Sequence, residues 1–159
     1  MRNPPKNTIA LHAIKAWKIT ALLYIIFLWF LTIAGGVLTF IYDIRLLYLV
    51  IATIISGIAT YLFVFLLPKL RWKRWRYEVF EQEIYIQHGI LIVSRTIVPM
   101  IRVQHVDTKQ GPILKRFHLA SVTISTAATT HEIPALLEKD ASELRDRLSV
   151  LARVAEDDV

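Results

Sequence analysis

Five histidines, His12, His88, His105, His118 and His131, are where metal or acid–base chemistry would first be sought. No two of them stand four residues apart, the spacing that sets two imidazoles on one helical face for zinc. The chain has no cysteine, so it has no thiolate nucleophile, cysteine metal site or disulfide. That absence also fits a reducing compartment. His105 and Asp107 share one face of a predicted strand, where a carboxylate could orient an imidazole. No nucleophile accompanies them, and they read as a half-exposed strand pair. Ser94, Ser121 and Ser125 lack the G-x-S-x-G setting of a nucleophile elbow. Neither phosphate-binding glycine pattern occurs, and there are only five glycines in all. No catalytic residue, metal or cofactor is expected, and the chain reads as non-enzymatic.

The remaining chemistry lies in cations and their placement. The net charge is +6 and the pI near 9.7, which would suit either nucleic acid or a membrane surface. Arg2, Lys6, Lys15 and Lys18 precede a long apolar run, and Lys69, Arg71, Lys73, Arg74 and Arg76 follow a second. Without those nine, ten basic residues face thirteen acidic ones, so the rest of the chain is mildly acidic. A nucleic-acid binder would spread its basic residues over a folded face. Nucleic acid is therefore not an expected partner. Arg71-Trp72-Lys73-Arg74-Trp75-Arg76 alternates cations with indoles and is a candidate contact for anionic lipid headgroups. The plainer reading is a boundary anchor, which needs the same residues.

The elements that must position these groups are two hydrophobic spans and a small domain. Ile19 to Tyr42 and Leu46 to Leu67 contain no charged residue, over 24 and 22 positions. A helix needs roughly 20 such residues to cross about 30 Å of hydrocarbon. The first run is too long for the apolar core of a cleaved signal and reads as a retained anchor. Asp43 and Arg45 leave only a tight turn between the runs, so they form a hairpin over 19–67, with Pro68 marking its end. The bias in Lys and Arg puts residues 1–18, an N-terminal tail, and everything after the hairpin in the cytoplasm. Trp17, Trp72 and Trp75 would then lie at the inner interface, with Tyr42 and Tyr48 at the outer one. The localisation implied is the cell membrane, multi-pass, with both termini cytoplasmic. Within the spans, Thr32-x-x-x-Gly36, Ala52-x-x-x-Ser56 and Thr53-x-x-x-Gly57 form small-residue faces for helix packing, in the hairpin or against a partner. Neither span carries an ionisable residue other than tyrosine, so no proton or ion path is expected.

Beyond the juxtamembrane segment 68–76, residues 77–153 change to strand periodicity, and 154–159 form an acidic tail. Tyr77–Phe80, a strand through Ile84–Gln87, Ile90–Val98 after a His88-Gly89 turn, Val103–Thr108, Ser121–Ser125 and Glu132–Ala135 read as strands. Ile113–Phe117 is a short helical or turn segment. Asp140 is a predicted N-cap, with Glu143 completing a capping box. Ala141, Leu144, Leu148 and Leu151 form the apolar stripe of a last helix. The fold class expected is a membrane α-helical hairpin plus an α+β domain, a partly open antiparallel β-barrel capped by a C-terminal helix.

The stretch Arg95-Thr96-Ile97-Val98-Pro99-Met100-Ile101-Arg102-Val103-Gln104-His105-Val106 resembles the bacterial pleckstrin-homology-like (PH-like) domain family. So does Gln110-Gly111-Pro112-Ile113-Leu114-Lys115-Arg116-Phe117-His118-Leu119-Ala120-Ser121-Val122-Thr123-Ile124. A short hairpin joined to one such domain is similar to the YdbS-like membrane proteins of that family. The family often has Gly where His118 stands and Thr-Ala-Gly where Thr126-Ala127-Ala128 stands. The resemblance implies a seven-stranded barrel-like sheet capped by a helix, with no catalytic residues. It also implies association with protein or membrane, often beside a larger membrane protein with repeated PH-like domains. A scaffold at the bilayer follows as the expected function, in envelope stress tolerance by resemblance alone. The alternatives are an anionic-lipid sensor, or an accessory subunit of a membrane enzyme or transporter. Arg102, Gln104, Lys115 and Arg116 are the candidate partner surface, and a homo-oligomer is the other assembly considered.

Overall fold

The computed structural model describes residues 3–157 and divides the chain into two compact units. One is Trp17–Lys69; the other joins residues 3–16 to everything from Leu70 onward. Arg2 of the basic flank, and Asp158 and Val159 of the expected tail, lie outside the described residues.

The apolar runs form helix α1 (Ala13–Ile41) and helix α2 (Leu46–Thr60), the second continuing through a π-helical turn (Tyr61–Leu66) into α3 (Leu67–Arg74). Each continuous stretch is 29 residues, long and apolar enough to cross a bilayer. Only 6% and 11% of their most apolar windows are buried, so they are not the core of a soluble bundle. Asp43, at φ +49°, turns the chain between them. Pro68 does not end the second helix as expected. A proline inside a regular helix meets the carbonyl four residues back. Here the preceding turn is widened, with the Leu67 N–H donating to Leu62 rather than Phe63. The helix therefore carries on to Arg74.

Among the described residues, the second unit contains seven strands in two antiparallel sheets. Strands β1 (Asn7–Thr8), β2 (Arg76–Val79), β3 (Glu83–His88) and β4 (Ser94–Pro99) pair in that order. Strands β5 (Val103–Lys109), β6 (Leu119–Thr126) and β7 (Thr130–Leu137) form the other sheet, with α4 (Pro112–Arg116) between β5 and β6. The sheets are not closed into a barrel. The last helix, α5 (Glu138–Asp157), lays Ala141, Leu144 and Leu148 against the interior, where Ile84, Ile86, Met100, Val122, Ile124 and Ile133 are fully buried.

Several expectations are corrected. Ile90–Val93 do not extend β4. Gly89 sits at φ +111°, and a Cβ there would fall 1.9 Å from the Ile92 carbonyl oxygen, so the chain makes a wider loop over Gly89–Val93. Asp140 is not an N-cap. Strand β7 runs straight into α5, which begins at Glu138, whose N–H donates to the His118 carbonyl (3.0 Å). His118 itself takes φ +53°, the left-handed region that favours glycine, and so turns α4 into β6. Helix α5 runs to Asp157, through most of the residues expected as a separate tail.

The largest correction concerns the N-terminal residues, which are not a tail. Asn7 and Thr8 pair with Tyr77 and Arg76. Pro5, Ile9, Ala13 and Ala16 are buried. The Trp72 indole N–H donates to the Ile9 carbonyl (3.1 Å), and the Ala10 N–H to the Ala135 carbonyl (3.2 Å). Sequence periodicity could not show this, because two strand residues and one buried Ile make no repeating pattern.

Two outcomes follow for stability. Ile9 is 2% exposed, so Ile9→Ala should cost about 2–5 kcal/mol in denaturant unfolding of the detergent-solubilised chain; an appended tail would leave the midpoint unmoved. Burial, then the Asp140 carboxylate, raises the Tyr77 phenol above its ordinary value near 10. The neutral phenol is favoured in the fold, so its stabilisation is complete below about pH 10 and is lost as pH rises through the higher folded value. Tyr77→Phe should flatten the alkaline fall in melting temperature.

Candidate functional site

Strand β4 is the edge of its sheet, paired with β3 alone. After Pro99 the chain passes through a 3-10 turn, Met100–Arg102, and enters β5 in the other sheet. The two sheets are unpaired at this seam, and a groove of about 600 Å³ opens there. Thr96, Ile97, Val98 and Pro99 line it from β4, and residues 126–129 from the β6–β7 turn, with Ile101, Arg102, Gln104 and His131 completing it. Thr126 shapes the turn wall: its hydroxyl donates to the Thr129 carbonyl (2.8 Å) and accepts from the Thr129 N–H (3.1 Å).

Arg102 and Gln104 meet in this groove, though not by alternating on one strand. Arg102 belongs to the 3-10 turn. Val103 pairs with Thr126 and His105 with Ser125, which leaves Gln104 as the unpaired residue of a β-bulge. A bulge re-aims a side chain, and here it turns Gln104 into the groove. Lys115 and Arg116 are exposed on α4 and do not line it. Ile97 reads from the sequence as an ordinary strand residue, Ile101 falls between two expected strands, and His131 draws notice only as one of five histidines, so none of the three is marked out for this groove. His105 and Asp107 are both exposed on β5. Among the described residues, no three His, Asp or Glu side chains converge as a metal site.

The basic–aromatic segment divides its labour. Arg71, Lys73 and Arg74 are exposed on α3. The indoles turn inward instead: Trp72 holds Ile9, and Trp75, 8% exposed, stacks on His88 with ring centres 5.4 Å apart. Each of those two tryptophans thus finds a partner within the domain, Trp72 half-buried and Trp75 buried.

The sequence signature described as "Bacterial PH domain" matches residues 9–152. The chain belongs to the bacterial PH domain family. It is 46% identical over its whole length, and the whole of the relative, to the UPF0699 transmembrane protein YdbS of Bacillus subtilis (strain 168). It is also 26% identical over 79 residues to the UPF0699 transmembrane protein YdbT of the same organism. That second match covers half of this chain but only 16% of the relative. No solved structure matches. The protein is thus a membrane protein with a bacterial PH domain, and the family match begins at Ile9, where the N-terminal segment enters the fold.

In this PH-domain protein the hairpin has its own polar seam. The Thr32 and Ser56 hydroxyls lie 2.9 Å apart, and the Trp29 indole N–H donates to the Thr60 hydroxyl (3.0 Å). A Cβ on Gly36 would come within 3.3 Å of Leu49, so the helices approach closely there. Ala52 is half-buried, whereas Thr53 and Gly57 are exposed, with nothing near Gly57. The small-residue face of Thr32, Gly36 and Ser56 is therefore used within the hairpin, and that of Thr53 and Gly57 points away. A double-mutant cycle of Thr32→Val and Ser56→Ala should give a coupling of about 0.6–1.7 kcal/mol in detergent unfolding. Additive losses would mean that the two hydroxyls do not share a bond.

Proposed function

We propose that the protein is a non-enzymatic, two-span anchor of the cell membrane whose PH domain holds a second membrane protein at the bilayer. The domain lies in the cytoplasm, and it takes an extended segment of the partner into the seam groove. The observation that carries this reading is the groove beside β4. An edge strand offers backbone pairing to an added strand, while side-chain pockets provide selectivity. Ile97, Pro99 and Ile101 supply apolar contact, and Arg102 supplies a charge for an acidic residue of the segment. A larger membrane protein that itself carries PH-like domains is the partner proposed.

Both flanks of the hairpin contribute to one folded unit, which supports an even number of crossings and termini on a common side. The cations at 69–76 support the cytoplasm as that side.

The test is a photocrosslinker at Thr96 or Thr129 of the tagged full-length chain in native membranes, followed by purification. One stoichiometric companion with a PH-like domain should be captured. Ile97→Asp or Ile101→Asp should abolish its capture, and Lys115→Glu should not. Recovery of the chain alone, or linked only to itself, would count against a second-protein scaffold.

A further inference from the structure

The loop between β3 and β4 carries the most exposed apolar side chains of the second unit. Leu91 is 96% exposed and Ile92 85% exposed, at the tip of a turn held by the positive φ of Gly89. This is a built protrusion. Gly89 folds closely over the Ile92 carbonyl, and His88 at its base is stacked on Trp75 and paired with Ser94.

Strand direction says where the tip lies. The chain leaves α3 at Arg74, passes Trp75, whose N–H donates to the Arg71 carbonyl, and begins β2 at Arg76. Strand β3 runs antiparallel to β2, so that Gln87 returns to face Arg76. The tip therefore begins beside Trp75, which directly follows α3 and stacks on His88.

Charge at the base of the tip suits a lipid surface. Gln87 lies between Arg76 on β2 and Arg95 on β4, and its side-chain oxygen accepts from the Arg95 Nε–H (3.0 Å). Lys73 and Arg74 stand at the end of α3. The acidic residues of the same sheet are placed further from the tip: Glu78 opposite Tyr85, and Glu83 opposite Pro99 at the far end of β3. Two exposed apolar side chains beyond a base that carries Arg76 and Arg95 match an acyl region beneath anionic headgroups.

We propose that the β3–β4 tip is a membrane-inserting loop, which places Leu91 and Ile92 among acyl chains while Arg76 and Arg95 engage anionic headgroups. The loop thereby fixes how the PH domain stands on the bilayer. The inference rests on the membrane-anchored reading above, and it assigns a lipid contact to residues outside the groove.

The absence of cysteine allows one environment-sensitive label per protein, at Leu91→Cys, Ile92→Cys, Ile54→Cys on α2 or Val150→Cys on α5. The full-length chain is reconstituted into phosphatidylcholine vesicles with and without phosphatidylglycerol. Spin-labelled lipids and aqueous iodide serve as quenchers. Labels at 91 and 92 should be quenched by the lipids and shielded from iodide, more so in anionic vesicles, while the label at 150 shows the reverse. Ile92→Asp should reduce the inserted fraction reported at 91 roughly tenfold. Iodide access at 91 with lipid quenching at 54 would overturn the tip assignment alone. Shielding at 91 from both quenchers would overturn it in favour of a protein contact. Equal quenching in both vesicle types would overturn the role given to Arg76 and Arg95. Loss of lipid quenching at 54 would remove the membrane reading itself.

Discussion

The Ala10 N–H reaches the Ala135 carbonyl because β7 is bulged where it passes Ser121. Ala120 pairs with Leu136 but Val122 with Ile133, so β7 holds one residue more than β6 over that stretch. Ala135 absorbs the excess at φ +51°, a conformation that costs a non-glycine residue of order 1–3 kcal/mol. Surrounding contacts hold it there: Ala135 is fully buried and its N–H donates to the Ser121 hydroxyl (3.4 Å). The Ala135 carbonyl accepts the N-terminal segment, Trp72 takes Ile9, and β2 takes Asn7 and Thr8. If this docking fails, one sheet loses its first strand and Trp72 loses its partner. The two sides of the apolar hairpin are bound together by these few contacts.

Much of this was legible in the residue pattern, for separable reasons. Charge-free runs longer than a bilayer's thickness gave the two helices, and period-2 alternation gave most of the strands. The stripe Ala141, Leu144 and Leu148 gave the buried face of α5. What escaped notice depends on tertiary context. Ile90 to Val93 have strong strand propensity, yet the backbone demanded at Gly89 carries them out as a loop. Pro68 normally stops a helix, but a π-helical turn upstream makes room for it. Arg102 and Gln104 read as alternating on one strand face, whereas they line one groove through a turn and a bulge that have no signature in spacing. Tryptophans beside cations have the same composition whether they face headgroups or a protein core, and here Trp75 is buried in the domain and Trp72 is half-buried against Ile9.

The groove and the tip occupy different parts of β4. The groove uses the strand's unpaired side near Ile97 and Pro99, and the tip uses its beginning. A strand contacted by bilayer at one end and by protein along its edge would make recruitment depend on posture, since domain orientation would decide which segments could reach the seam. Such coupling is a matter of geometry and requires no conformational switch.

Discontinuity of the domain also governs the order of its assembly. The first strand must wait for β2 beyond the hairpin, and Ala10 for a carbonyl more than a hundred residues later, separations that would slow closure of a free chain. The antiparallel helices shorten that path, because Lys18 returns to within 5.4 Å of the Phe65 ring. Insertion of the hairpin would thus act as an intramolecular clasp, presenting both halves of the domain to each other before either can fold. In this sense the bilayer serves as a folding template, and release from it would return the N-terminal strand to a slow search.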